Sequence, residues 1–217
     1  MEFLQHFFDM ILHIDVHLNA FVSTYGLWTY FLLFAVIFCE TGLIITPFLP
    51  GDSLLFAAGS LAAQPNNTLY ILILFLILFT ASVLGNQINY FVGKLIGPRM
   101  FNAKKSRLFN HQHLEDTHRF YEKHGGKTII FARFLPIIRT FAPFVAGIGQ
   151  MHWLHFSLYN LFSALLWIGS LLGLGYFLGS LPIVKENFTL VIYCIIVISL
   201  LPPILGFFKG KASKRSI

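Results

Sequence analysis

Apolar residues recur at helical spacing from the start of the chain. Phe3, Leu4, Phe7, Phe8, Ile11, Ile14, Leu18 and Phe21 form one stripe, which predicts an amphipathic helix within residues 1–25. Glu2, His6, Asp9, His13 and His17 fall largely off that stripe. The segment is therefore expected to lie along a membrane interface or to pack on a bundle rather than to cross alone. Its first residues carry an acid in place of Lys or Arg, and no small-residue cleavage site follows, which argues against a cleaved signal.

The pattern then changes from a stripe to near-continuous hydrophobicity. Residues 28–63 are apolar but interrupted by Glu40, Gly42, Pro47, Pro50 and Gly51, whereas a simple spanning helix needs about 20 clean residues. Each proline removes a backbone donor and Gly51 permits a reversal, so a re-entrant hairpin shielded by protein or water is expected; a bent span is the alternative. Residues 69–92 form the first clean span, with Gly85, Asn86, Gln87, Asn89 and Tyr90 toward its end. The loop 94–127 contains the only long polar stretch, Gly97 to Lys127, and within it Asn110 is placed to cap a helix from His111 to His124. Residues 128–150 repeat the broken pattern, with Pro136 and Pro143 inside and Ala146, Gly147 and Gly149 at the close. Spans follow at 156–178, rich in small residues for close helix packing, and at 190–208, before a tail at 209–217. Residues 26–217 read as a single membrane domain.

Composition agrees with the pattern. The 217 residues are 56% hydrophobic and 11% charged, with a mean hydropathy of +0.73, where a soluble chain is about a quarter charged. Cys39 and Cys194 fall inside apolar runs, so no disulfide framework is indicated. The net charge of +6 does not point to nucleic acid, because of its placement. Eight of the 15 basic residues lie between Lys94 and Lys127 and four between Lys209 and Arg215, flanking apolar spans. Both clusters are expected on the cytoplasmic side by the positive-inside rule, with contact to anionic membrane lipids as a secondary use.

Candidate chemistry sits in the two broken elements. Glu40 and Asp52 occupy one, Arg133 and Arg139 the other. Each charge in an apolar layer costs on the order of 2.5 to 3.5 kcal/mol and needs a partner or a water-filled cavity. Arginine suits phosphate, because it stays charged and binds in a bidentate fork. Arg133 and Arg139 are six residues apart and would diverge on an unbroken helix; the break at Pro136 lets both converge. Asn86 and Asn89 share a helix face and serve either interhelical hydrogen bonding or a polar site lining with Tyr90, Pro47, Pro50, Gly51, Pro136 and Pro143. His13 with His17, and the His111, His113, His118 and His124 set, match no standard metal spacing, so no metal and no cofactor are expected. Signatures of a histidine phosphatase are missing, although His152 and His155 follow the site, so a catalytic role is not expected. The four charges read either as a transport site or as a static salt-bridge network. Thr46–Phe48 and Ala142–Phe144 are similar tripeptides in broken elements; with 69–92 crossing once between them, the two elements are expected to enter from opposite sides, the layout of an inverted repeat.

Taken together, Glu40, Gly42, Pro47, Pro50, Gly51 and Asp52, then Gly85, Asn86, Tyr90 and Gly93, then Phe131, Arg133, Pro136, Arg139, Pro143 and Gly147 resemble the DedA family of bacterial inner-membrane proteins, also described as SNARE-associated or VTT-domain proteins. HIDVHL at 13–18, FCETGL at 38–43, TPFLPGDSLLF at 46–56 and FYEKHGGKTII at 120–130 extend the resemblance over nearly the whole chain. It implies an all-α integral membrane protein, a multi-span helical bundle with two opposed re-entrant hairpins. It also implies a proton-motive-force-dependent flippase of undecaprenyl phosphate or a related anionic phospholipid, serving envelope homeostasis. Related eukaryotic domains act as lipid scramblases. By the family's pattern, Glu40 and Asp52 are its essential acids and Arg133 and Arg139 its essential basic residues; the expected roles are proton coupling for the acids and phosphate binding for the arginines. The expected partners are the anionic lipid, protons and membrane lipids, with no nucleic acid, and an oligomer is compatible with the reading. The expected location is the bacterial inner membrane, multi-pass, with the C-terminus cytoplasmic. A proton-coupled small-ion or solute transporter is the alternative.

Overall fold

A computed structural model describes residues 14–43, 51–64, 67, 69–102, 126–182, 184 and 190–191. These form α1 (Ile14–Tyr25), α2 (Trp28–Gly42), α3 (Gly51–Ala62), α4 (Ile71–Asn102), α5 (Lys127–Arg133), α6 (Pro136–Ile148) and α7 (Trp153–Leu178), and no strand occurs among the described residues. Pro47, Pro50, the His111–His124 helix, the span at 190–208 beyond its first two residues and the basic tail lie outside them, as do residues 1–13.

Among the described residues two helices are long and apolar enough to cross a bilayer, Ile71–Gly97 and Trp153–Leu178. They present Leu72, Leu76, Leu158 and Phe162, all more than half exposed, a surface that water would penalise and lipid would not. By contrast α2, α3 and α6 have 15, 12 and 13 residues. At about 1.5 Å per residue each falls short of the roughly 30 Å hydrocarbon layer. The sequence boundaries shift in one instructive way. The span placed at 69–92 is a helix to Asn102, because Lys94 limits a membrane span but not a helix, and Leu95 and Ile96 continue the apolar face. Residues 94–102 therefore continue α4 as a helix. Pro143 likewise lies inside α6, which continues to Ile148.

The chain divides into two compact units. The first holds α1, the start of α2, α3, the first turns of α4 and the end of α7. Here α1 packs on α3 through a stripe that includes buried Leu18 and Val22. Gly51 and every residue from Ser53 to Leu61 are buried, so α3 is an internal helix. Its contact with α7 is backbone-close: a Cβ on Gly175 would strike the Phe56 carbonyl, and one on Gly59 the Leu172 carbonyl.

The second unit holds the end of α2, α4 from Thr80, α5, α6 and α7 up to Trp167. Gly93 faces the Phe144 backbone and Gly147 the Tyr90 carbonyl, so α6 lies directly on α4. Below that contact Tyr90 stacks on Phe156 at 4.3 Å, in a cluster with Ile129, Ala146 and Met151. The α6–α7 connection is a Schellman turn: Met151 N–H donates to Ala146 O and Gln150 N–H to Gly147 O, both at 3.1 Å. Gln150 takes the left-handed position with φ 53°, where glycine is the usual occupant.

Candidate functional site

The Arg-Pro-Arg geometry follows from local backbone rules. A residue before proline is pushed out of the helical region, and Leu135 is accordingly extended (φ −111°, ψ 106°). That ends α5 at Arg133 and starts α6 at Pro136, whose missing N–H costs nothing in the first turn. Arg139 then sits one turn into α6, its N–H on the Leu135 carbonyl at 2.8 Å. Both guanidinium groups reach the same indole, Trp167 of α7, with ring-centroid distances of 5.4 Å for Arg133 and 4.9 Å for Arg139. The convergence expected from the proline break is present.

The two arginines are held differently. Arg139 is 6% exposed and forms an ion pair with Glu40 of α2, which is fully buried. Arg133 is 3% exposed and is surrounded by neutral acceptors. Its Nη1 donates to Asn160 Oδ1 (3.0 Å) and Ser163 Oγ (2.9 Å) on α7, and its Nη2 to Ser82 Oγ on α4. Orienting the Asn86 amide to satisfy both of its ends puts its oxygen on Arg133 Nη1 (3.0 Å) and its nitrogen on the Thr41 carbonyl (3.3 Å). Arg133 Nε is buried with no hydrogen-bond partner among the described residues.

Asn89 does something more specific than line the site. Its Nδ2 donates to the carbonyl of Thr41 at 3.3 Å and of Thr140 at 2.7 Å, the residues that follow Glu40 and Arg139. One amide from α4 thus ties together the backbones that carry the two halves of the ion pair. Gly85 makes this approach possible, since a Cβ there would overlap Thr41 Oγ1 and crowd the Phe38 carbonyl.

Of the residues singled out in the sequence, Glu40, Asn86, Asn89, Arg133 and Arg139 come together in the second unit. Tyr90 belongs to the same unit but acts as a brace, donating its hydroxyl to the Met151 carbonyl. Asp52 and Gly51 belong to the first unit. Asp52 stands in the first turn of α3, where a carboxylate complements the helix dipole. Ser82, Asn160, Ser163 and Trp167 were not legible as site residues. An isolated Asn160 in an otherwise apolar span was the one available signal. No group of three metal-ligating side chains occurs among the described residues.

The VTT domain family profile matches residues 49–177, from α3 to the end of α7. This chain belongs to the DedA family. Relatives of the DedA-family chain include Protein DedA of Escherichia coli (strain K12), 49% identical over 211 residues, 97% of this chain and 96% of that one. An uncharacterized membrane protein of Mycobacterium leprae is 41% identical over 179 residues, 82% of this chain and 79% of that one. The inner membrane protein YqjA of Escherichia coli (strain K12) is 33% identical over 214 residues, 96% of this chain and 92% of that one. No solved structure matches the chain. The DedA-family protein is thus a membrane protein, one of whose relatives is named an inner membrane protein, and Arg133 and Arg139 lie within the matched domain while Glu40 stands just before it.

Proposed function

We propose that the protein is a proton-coupled carrier, not an enzyme, that moves undecaprenyl phosphate or a related anionic phospholipid across the bacterial inner membrane for envelope homeostasis. The observation that carries this reading is a charge imbalance. Glu40 is the single acid among the described residues of the second unit, and it shares the buried cluster with Arg133 and Arg139. Buried charges in membrane proteins mark pathways more often than scaffolds, and two guanidinium groups over one neutral ring favour an anion. The Nε of Arg133, without a hydrogen-bond partner among the described residues, supplies a further donor.

In this mechanism a proton reaching Glu40 releases Arg139, whose fork then takes a phosphate together with Arg133. Loss of the proton restores the ion pair and expels the anion. Asp52 is the second acid of the cycle. The short elements α2–α3 and α5–α6 act as opposed re-entrant hairpins in an inverted repeat, each dipping into the layer without crossing it. The basic clusters support a cytoplasmic C-terminus by the positive-inside rule.

The test is translocation of a polyprenyl phosphate in proteoliposomes, with and without a pH gradient. Gradient-stimulated movement in the wild type, lost in Glu40→Gln while phosphate binding persists, is the expected result. Ion or solute flux without lipid movement would instead select the solute-transport alternative. Arg133→Lys is expected to insert and fold yet to transport at least about tenfold more slowly, since a single ammonium cannot reproduce the planar fork that spans Asn160, Ser163 and Ser82. Wild-type transport by that variant would remove Arg133 from the site.

A further inference from the structure

Trp167 is 1% exposed and carries both guanidinium groups over its ring, although Arg133 and Arg139 come from separate helices. Like charges brought close repel; the Glu40 pair offsets this for Arg139 and the Asn160, Ser163 and Ser82 acceptors for Arg133, and the ring is a contact that both cations share. A carboxylate at this position would hold both most strongly, and would also cancel the positive charge. An indole attracts cations through its quadrupole, more strongly than phenol or benzene rings, and adds no charge of its own. We propose that Trp167 is the positioning residue of the site: a neutral platform that both Arg133 and Arg139 rest on, which adds no charge of its own to compete with a phosphate monoester. This inference rests on the reading of the cluster as an anion receptor.

Replacing Trp28 and Trp153, which are 69% and 49% exposed, with phenylalanine leaves Trp167 as the sole indole in the full-length protein. In detergent, a short-chain prenyl monophosphate is expected to change Trp167 emission saturably, whereas the matching prenyl alcohol does not; inorganic phosphate separates headgroup from chain. Calorimetry with the same monophosphate should give an affinity about threefold weaker for Trp167→Phe and about tenfold weaker for Trp167→Leu, and no binding for Trp167→Glu. Equal affinity in the Leu variant and the wild type overturns the proposal. A ligand-free cycle of thermal midpoints keeps it separate from the transport reading. Trp167→Leu should lower the midpoint at least twice as much in the wild-type background as in Arg133→Met. Equal shifts in the two backgrounds overturn the platform, while coupled midpoints without any phosphate binding sustain it and discard the anion receptor.

Discussion

An Arg139→Ala variant is expected to lose transport and about 3 to 5 kcal/mol of stability, because it strands the Glu40 carboxylate in a buried site. Removing both charges should behave differently. A Glu40→Gln, Arg139→Met double variant removes both members of the pair and leaves Arg133 on its neutral acceptors, so its thermal midpoint in detergent should return most of the way to that of the wild type while its transport stays absent. That divergence separates a transport site from a static brace. If the ion pair only held helices together, stability and activity would recover in parallel. Thermal unfolding of the four proteins of the cycle, read beside lipid translocation, decides between the two.

The second large effect is steric. Gly147→Ala places a methyl group against the Tyr90 carbonyl, with the Lys94 amide nitrogen 2.8 Å away. Backbone cannot rotate aside as a side chain can. The variant should lose about 1 to 3 kcal/mol or more, and α6 should shift on α4, dragging Arg139 with it and reducing transport. Gly173 of α7 is the matched control, since a Cβ there meets nothing within 4 Å. Gly173→Ala should gain up to about 1 kcal/mol from helix propensity. Equal midpoints for the two variants would mean that α6 does not rest on α4 as closely as described.

The charge pattern made the core of the site readable before any coordinates. Glu40, Arg133 and Arg139 stood out because ions in apolar sequence are costly, and Pro136 announced the break that lets the arginines converge. Helix ends were less legible. Hydropathy reports where lipid stops, and α4 runs ten residues beyond the expected boundary of 92 to Asn102, carrying Gly93, Gly97 and Pro98 inside it; Gly93 is accommodated by the close approach of the Phe144 backbone. The acceptors around Arg133 were hidden for another reason. Ser82, Ser163 and Asn160 are ordinary residues in membrane helices, and only the folded arrangement aims three of them at one guanidinium. Trp167 looked like any apolar residue of a span, because a cation–π platform has no spacing signature.

The bridge made by Asn89 has a consequence for how the ion pair opens. With the carbonyls of Thr41 and Thr140 tied to one amide, the backbones beneath Glu40 and Arg139 are not free to part. While those bonds hold, the carboxylate and the guanidinium can separate only by turning about their own side-chain torsions. Such turns take picoseconds to nanoseconds for an unhindered side chain, against microseconds to milliseconds for helices sliding apart. The local step of letting an anion in is then a pair of swinging side chains inside a fixed frame, and any slower stage of the cycle has to arise elsewhere in the molecule.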